Sequence, residues 1–126
     1  RRILLAEDDP VNQEVSRLLL EEAGLVVDVA DNGAQALELA RRNAYDLALM
    51  DLQMPVLNGL DATRAIRELP GGRALPIVAL TANAFDEDRQ RSLAAGMDDH
   101  VSKPIEPEVL FAAVLRWLSV PRTVSA

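Results

Sequence analysis

Leu47-Ala48-Leu49-Met50 is an uninterrupted apolar run closed by a carboxylate, Asp51. A strand with one wet face alternates apolar and polar side chains. A run without alternation belongs to a strand covered on both sides, as in a parallel sheet flanked by helices. Met54-Pro55 and Asn58-Gly59 then break the chain into a loop. A buried strand that hands an acid to a loop at its tip is how an open α/β sheet presents a reactive group. Asp51 is therefore the first candidate for a functional residue.

The same arrangement recurs along the chain. Ile3-Leu4-Leu5-Ala6 runs into Glu7-Asp8-Asp9, and the stretch from Leu25 to Ala30 runs into Asp31-Asn32-Gly33. Pro76 to Leu80 runs into Thr81, and His100-Val101-Ser102 runs into Lys103-Pro104. Helical patterns separate these runs. Asp9 is a natural N-cap for a helix opening at Pro10, with Val11, Val15, Leu18 and Leu19 on one face and Gly24 closing it. Ala36, Leu37, Ala40 and Ala44 form a second stripe. Ala62, Ala65, Ile66 and Leu69 form a third, stopped by Pro70-Gly71-Gly72. A fourth helix over about residues 86–95 has only a thin face of Phe85, Leu93 and Ala94, the mark of a loosely held element or an interaction surface. The last opens at Pro107, turns Leu110, Ala113, Val114, Trp117 and Leu118 inward, and stops at Pro121. Trp117 is thus expected in the core, remote from the acids, with fluorescence that responds weakly to a bound cation.

Five strand-helix units require right-handed crossovers and helices on both faces. The expected architecture is α/β: a doubly wound five-stranded parallel sheet with five helices in three layers. Residues 1–120 make the domain, and 121–126 a frayed tail or the start of a linker. With 126 residues there is room for a single core. The chain opens at Arg1 without an initiator Met, which reads as an excised or processed piece.

Composition narrows the function classes. A net charge of −7 opposes any sequence-independent grip on nucleic acid or anionic lipid. Without cysteine there is no disulfide framework and no thiolate chemistry, in keeping with a reducing compartment. No apolar run reaches the roughly 18 residues of a spanning helix, and no signal peptide is evident. A cytoplasmic location is expected, including as the cytoplasmic part of a membrane sensor.

In such sheets ligands bind beyond the carboxyl ends of the strands. There the chain places Glu7, Asp8 and Asp9, then Asp51, Thr81-Ala82 and Lys103. Crowded carboxylates resist ionising together, and a hard divalent cation such as Mg²⁺ (or Mn²⁺) resolves the conflict. A lysine and a threonine hydroxyl beside that cation suit a phosphoryl group. The matching chemistry is attack of a carboxylate on phosphorus to give an acyl phosphate.

Four motifs, in order at strand ends, carry a resemblance: Leu4-Leu5-Ala6-Glu7-Asp8-Asp9-Pro10-Val11-Asn12, Met50-Asp51-Leu52-Gln53-Met54-Pro55, Leu80-Thr81-Ala82 and Ser102-Lys103-Pro104. From about Arg2 to Leu118 the chain resembles a receiver domain of the two-component response-regulator family. The resemblance implies the flavodoxin-like strand order 2-1-3-4-5. It implies that Asp51 accepts phosphate from a phosphohistidine of a histidine kinase or histidine phosphotransfer domain. Glu7 and Asp8 would hold Mg²⁺ together with Asp51 and the backbone carbonyl of Gln53. Thr81 and Lys103 would meet the phosphoryl group, with a cis bond at Lys103-Pro104, and Gln53 and Asn83 would tune its hydrolysis. Phosphorylation would draw Thr81 inward and let His100 rotate, reshaping the face made by the fourth helix, fifth strand and fifth helix. Glu7-Asp8 followed by Pro10-Val11-Asn12-Gln13 resembles receivers of hybrid sensor kinases more than those of DNA-binding regulators. Such a domain is a monomer or weak dimer that assists its own phosphorylation and dephosphorylation without being a conventional enzyme.

Two positions depart from the commoner pattern: His100 replaces the usual aromatic switch residue, and Glu7 stands where many members have Asp. Rival readings are a pseudo-receiver acting only through protein contacts, a Mg²⁺-dependent aspartyl phosphatase, and a flavin or nucleotide binder. The phosphatase places its nucleophile on the first strand with a second acid two residues on. The flavin or nucleotide binder needs a phosphate cradle where Glu7-Asp8-Asp9 stands. The pseudo-receiver commonly lacks one of the acids or the lysine.

Overall fold

Five parallel strands form one sheet in the order β2-β1-β3-β4-β5. They are β1 (Arg2–Ala6), β2 (Val26–Ala30), β3 (Leu47–Asp51), β4 (Ile77–Thr81) and β5 (Asp99–Ser102). The computed structural model describes residues 1–52, 54, 57–70, 72, 75–81, 90, 93–102 and 106–119. Helices α1 (Pro10–Glu22), α2 (Gly33–Arg42) and α3 (Gly59–Arg67) follow the first three strands. Of the fourth helix, α4, the final turn at 93–95 is described; α5 (Pro107–Ser119) is last. The tail expected over 121–126 lies outside the described residues.

The unbroken apolar runs have their reason in the two layers of core. Leu4, Ala6, Ala48 and Met50 pack on one face with Ala36 of α2 and Ala62 and Ile66 of α3. Ile3, Leu5, Leu47 and Leu49 pack on the other with Leu20 of α1 and Leu110 and Val114 of α5. Alternate residues of one strand thus enter different cores, and both must be apolar. β2 lies at an edge and shows it, with Val26 exposed.

Local signals place the helix ends. Asp9 caps α1, its Oδ1 accepting from the Val11 backbone N–H at 2.9 Å, and Gly24 at φ 87° turns the chain out of the helix. Asn58 and Gly59, expected within a loop, instead begin α3. Asn58 Oδ1 caps it by accepting from the Asp61 N–H at 2.9 Å.

Two expected helix faces are corrected. Val11, Val15 and Leu18 are 68%, 45% and 48% exposed, while Ser16 and Leu20 are buried and Leu19 is partly covered. The helix is rotated from the orientation its apolar pattern suggests: Leu20 enters the core, and on the same side Gln13 donates to Glu7 and Asp31. Gln13 and Leu20 lie about two turns apart and share that inward face. In α4, Leu93 and Ala94 are exposed and Ala95 is buried. Phe85 lies outside the described residues.

Candidate functional site

The register of the central strands assembles the acids. Ala6 of β1 pairs with Met50 of β3, so the residues that follow, Glu7 and Asp51, leave the sheet side by side. Asp51 pairs with Leu80, which puts Thr81 one step further along β4. Glu7, Asp51 and Thr81 are 1%, 4% and 3% exposed, whereas Asp8 faces solvent. Glu7, Asp8 and Asp51 each bring a carboxylate oxygen within 4.8 Å of the others.

At that separation, and with an effective dielectric constant of about 20, two ionised carboxylates repel by roughly 3 kcal/mol. Two of the three are buried, which adds desolvation to repulsion. A divalent cation answers both. Three hard oxygen donors, with Asp8 open to solvent so that waters can complete an octahedron, are the donor set Mg²⁺ or Mn²⁺ takes. The residues present therefore fit the ion that the sequence implied.

Hydrogen bonds from neighbouring elements hold the acidic loop. The Glu7 N–H donates to the Ala30 carbonyl at 3.1 Å, continuing the β1–β2 ladder past its last paired residues. Glu7 Oε2 accepts from the Asp9 N–H at 3.5 Å. Gln13 Nε2 donates both to the Glu7 carbonyl and, at 2.7 Å, to Asp31 Oδ1. On the other flank the Gly59 N–H donates to the Leu52 carbonyl at 3.1 Å, locking the start of α3 against the end of β3.

His100 lies in β5 opposite Ala79 and is half-buried. Its backbone N–H donates to Asp99 Oδ1 at 2.8 Å, and its ring Nδ1 stands 3.9 Å from the same oxygen. Asp99 Oδ2 also accepts from the Trp117 indole N–H at 2.8 Å. Trp117 is thus only partly buried against the core and tethered to β5, a finding its helical spacing alone did not give. Gln53, Asn83, Lys103 and the Lys103-Pro104 bond lie outside the described residues. Gln13 and Gly59 figured in the sequence only as part of a signature and as a loop breaker; that both contact the ends of β1 and β3 is a finding of the structure. The signal was present for Gln13, since a polar side chain stood in phase with Leu20.

Among the described residues, no helix is long and apolar enough to cross a membrane. Residues 3–115 match the family model described as the response regulator receiver domain. The receiver domain of the sensor histidine kinase PA1611 from Pseudomonas aeruginosa PAO1, crystallised with magnesium coordinated in its active site cleft, is 45% identical and superposes with a TM-score of 0.90. That match covers 95% of this chain and 98% of the other. Chemotaxis response regulator CheY4 of Vibrio cholerae has the same fold, with a TM-score of 0.88, 28% identity and coverage of 92% and 97%. The sensor histidine kinase GacS of Pseudomonas protegens is 41% identical over 92% of this chain, and hybrid signal transduction histidine kinase I of Dictyostelium discoideum is 40% identical over 90%. The chain spans 13% and 7% of the lengths of these two large relatives. With its sheet order, its acids at the strand ends and these likenesses, the chain belongs to the response regulator receiver domain family.

Proposed function

We propose that this domain is the phosphoacceptor of a two-component pathway, with Asp51 as the residue that carries the phosphoryl group. The observation that supports this most directly is the convergence of Glu7, Asp8 and Asp51 within 4.8 Å at the ends of β1 and β3. A Mg²⁺ or Mn²⁺ ion bound there would neutralise the phosphoryl oxygens and offset the repulsion among the acids. Asp51 attacks phosphorus in line with the nitrogen–phosphorus bond of a phosphohistidine. The electrons of that bond leave with the imidazole, which takes up a proton, and Asp51 becomes an acyl phosphate. Thr81, buried at the tip of β4, would contact the phosphoryl oxygens on the family pattern. Lys103 pairs with them, and Gln53 and Asn83 set the lifetime of the product, on the family pattern.

The donor is a histidine kinase or histidine phosphotransfer domain. The apolar side chains of Val11, Val15 and Leu18 lie exposed on the helix that begins at the acidic loop, which suits docking of such a donor beside Asp51. The likeness to GacS and the Dictyostelium hybrid kinase favours a place in a hybrid sensor kinase; a cytoplasmic location goes with that reading. The domain is a phosphorylated switch and not a conventional enzyme. Nor does it fit an aspartyl phosphatase, whose nucleophile would stand on the first strand, whereas Asp51 ends the third.

Incubation with Mg²⁺ and acetyl phosphate, followed by intact mass, tests the reading. One phosphoryl adduct is expected, abolished by EDTA and by Asp51→Asn. An adduct that persists in Asp51→Asn removes Asp51 from its role.

A further inference from the structure

Gln13 is partly buried on the side of α1 that Leu20 turns to the core, and it is polar. Its side-chain nitrogen donates to the carbonyl of Glu7 and, at 2.7 Å, to Asp31 Oδ1. Asp31 is itself fixed, since its N–H donates to Gln35 Oε1 at 2.8 Å and the Gln35 N–H donates to Asn32 Oδ1 at 2.8 Å. The Glu7 residue is consequently held from both sides, its N–H by β2 and its carbonyl by α1. That carbonyl belongs to the peptide joining Glu7 to Asp8. Fixing its plane fixes the direction in which the chain delivers the exposed Asp8 side chain toward Asp51.

The chemistry of the amide matters as well as its reach. A lysine or arginine at this point would also satisfy both acceptors, but would bring a positive charge beside carboxylates that attract a divalent cation. An amide donates twice and adds no charge.

We propose that Gln13 is a positioning residue for cation binding: it locks the Glu7–Asp8 peptide against Asp31 so that the two carboxylates and Asp51 converge before the ion arrives. Preorganisation of this kind raises affinity by removing the ordering that binding would otherwise have to impose. The inference rests on the Mg²⁺ reading above and extends it to a residue that touches neither ion nor phosphate.

Gln13→Met keeps length and helix propensity while removing both donors. Titration with MgCl₂, followed by NMR of the backbone amides, is expected to give about fivefold weaker binding than in the wild type. Leu20→Ala serves as the control. It opens a cavity on the same helix face, lowers the melting temperature, and leaves Mg²⁺ affinity within about twofold when measured well below that temperature. In metal-free Gln13→Met, the Asp8 amide is expected to exchange with solvent faster than in the wild type. Equal Mg²⁺ affinity in Gln13→Met and wild type overturns the role of Gln13 alone. An equal loss in Leu20→Ala overturns it too, by assigning the effect to general stability. A wild type that binds no Mg²⁺ instead overturns the metal reading on which both stand.

Discussion

Gly59 lies so close to the end of β3 that a Cβ built on it would sit 2.1 Å from the carbonyl oxygen of Asp51. The first turn of α3 is thereby pressed against the backbone of the proposed phosphoacceptor, and only a residue without a side chain fits. Neither partner can yield easily, because the contact is with backbone in a fully buried strand. Gly59→Ala is expected to destabilise the domain by about 1–3 kcal/mol, from overpacking. Urea unfolding checks this, and an unchanged midpoint would mean that α3 can slide away at no cost.

The exposed stripe on α1 separates packing from docking. Val15→Gln and Leu18→Gln should each alter stability by no more than about 0.5 kcal/mol, since neither side chain is in the core. Leu20→Ala, on the inward side of the same helix and fully buried, should cost about 2–5 kcal/mol. If the stripe receives the phosphodonor, the two glutamine variants slow transfer from a phosphohistidine protein by about fivefold to tenfold. Their reaction with acetyl phosphate stays at the wild-type rate. Loss of both reactions together would place the stripe in the fold and not in docking.

Trp117 should report on β5. Its indole donates to Asp99, whose other oxygen accepts from the His100 N–H. A weak response to Mg²⁺ alone is the expected outcome. Beryllofluoride with Mg²⁺, which mimics the phosphoryl group, should change Trp117 emission more if β5 moves. Asp99→Asn should reduce that difference, and identical spectra in all three conditions would leave α5 uncoupled from the site.

Tyr45 gives the chain an alkaline limit. Burial, and next the Asp28 carboxylate that accepts from its hydroxyl at 2.8 Å, push the phenol up to about 12. The unfolded chain loses that proton near pH 10. Between these values the folded state holds a proton that the unfolded state has released, so stability falls as pH rises. Its contribution is complete below about pH 10 and is lost on the order of 2 kcal/mol by about pH 12. Tyr45→Phe should flatten this part of the melting temperature profile. An undiminished fall in the variant would assign the transition to other groups.

The strand runs, their polar tips and the sheet type were legible in the sequence because they depend on burial that each segment declares by itself. A run such as Leu47 to Met50 can be stable only where both faces are covered, and Asp51 at its end then has one place to go. The strand order came with the family resemblance and stands in the structure. What the chain could not declare locally was decided by contacts between distant residues. The orientation of α1, with Leu20 and Ser16 buried, Gln13 meeting Glu7 and Asp31, and Val11, Val15 and Leu18 left exposed, is one such outcome. The tie from Trp117 to Asp99 and the approach of Gly59 to Asp51 likewise join separate segments. Periodicity reports how a helix distributes its apolar residues, but the contacts it meets across the fold decide which side of that helix faces in.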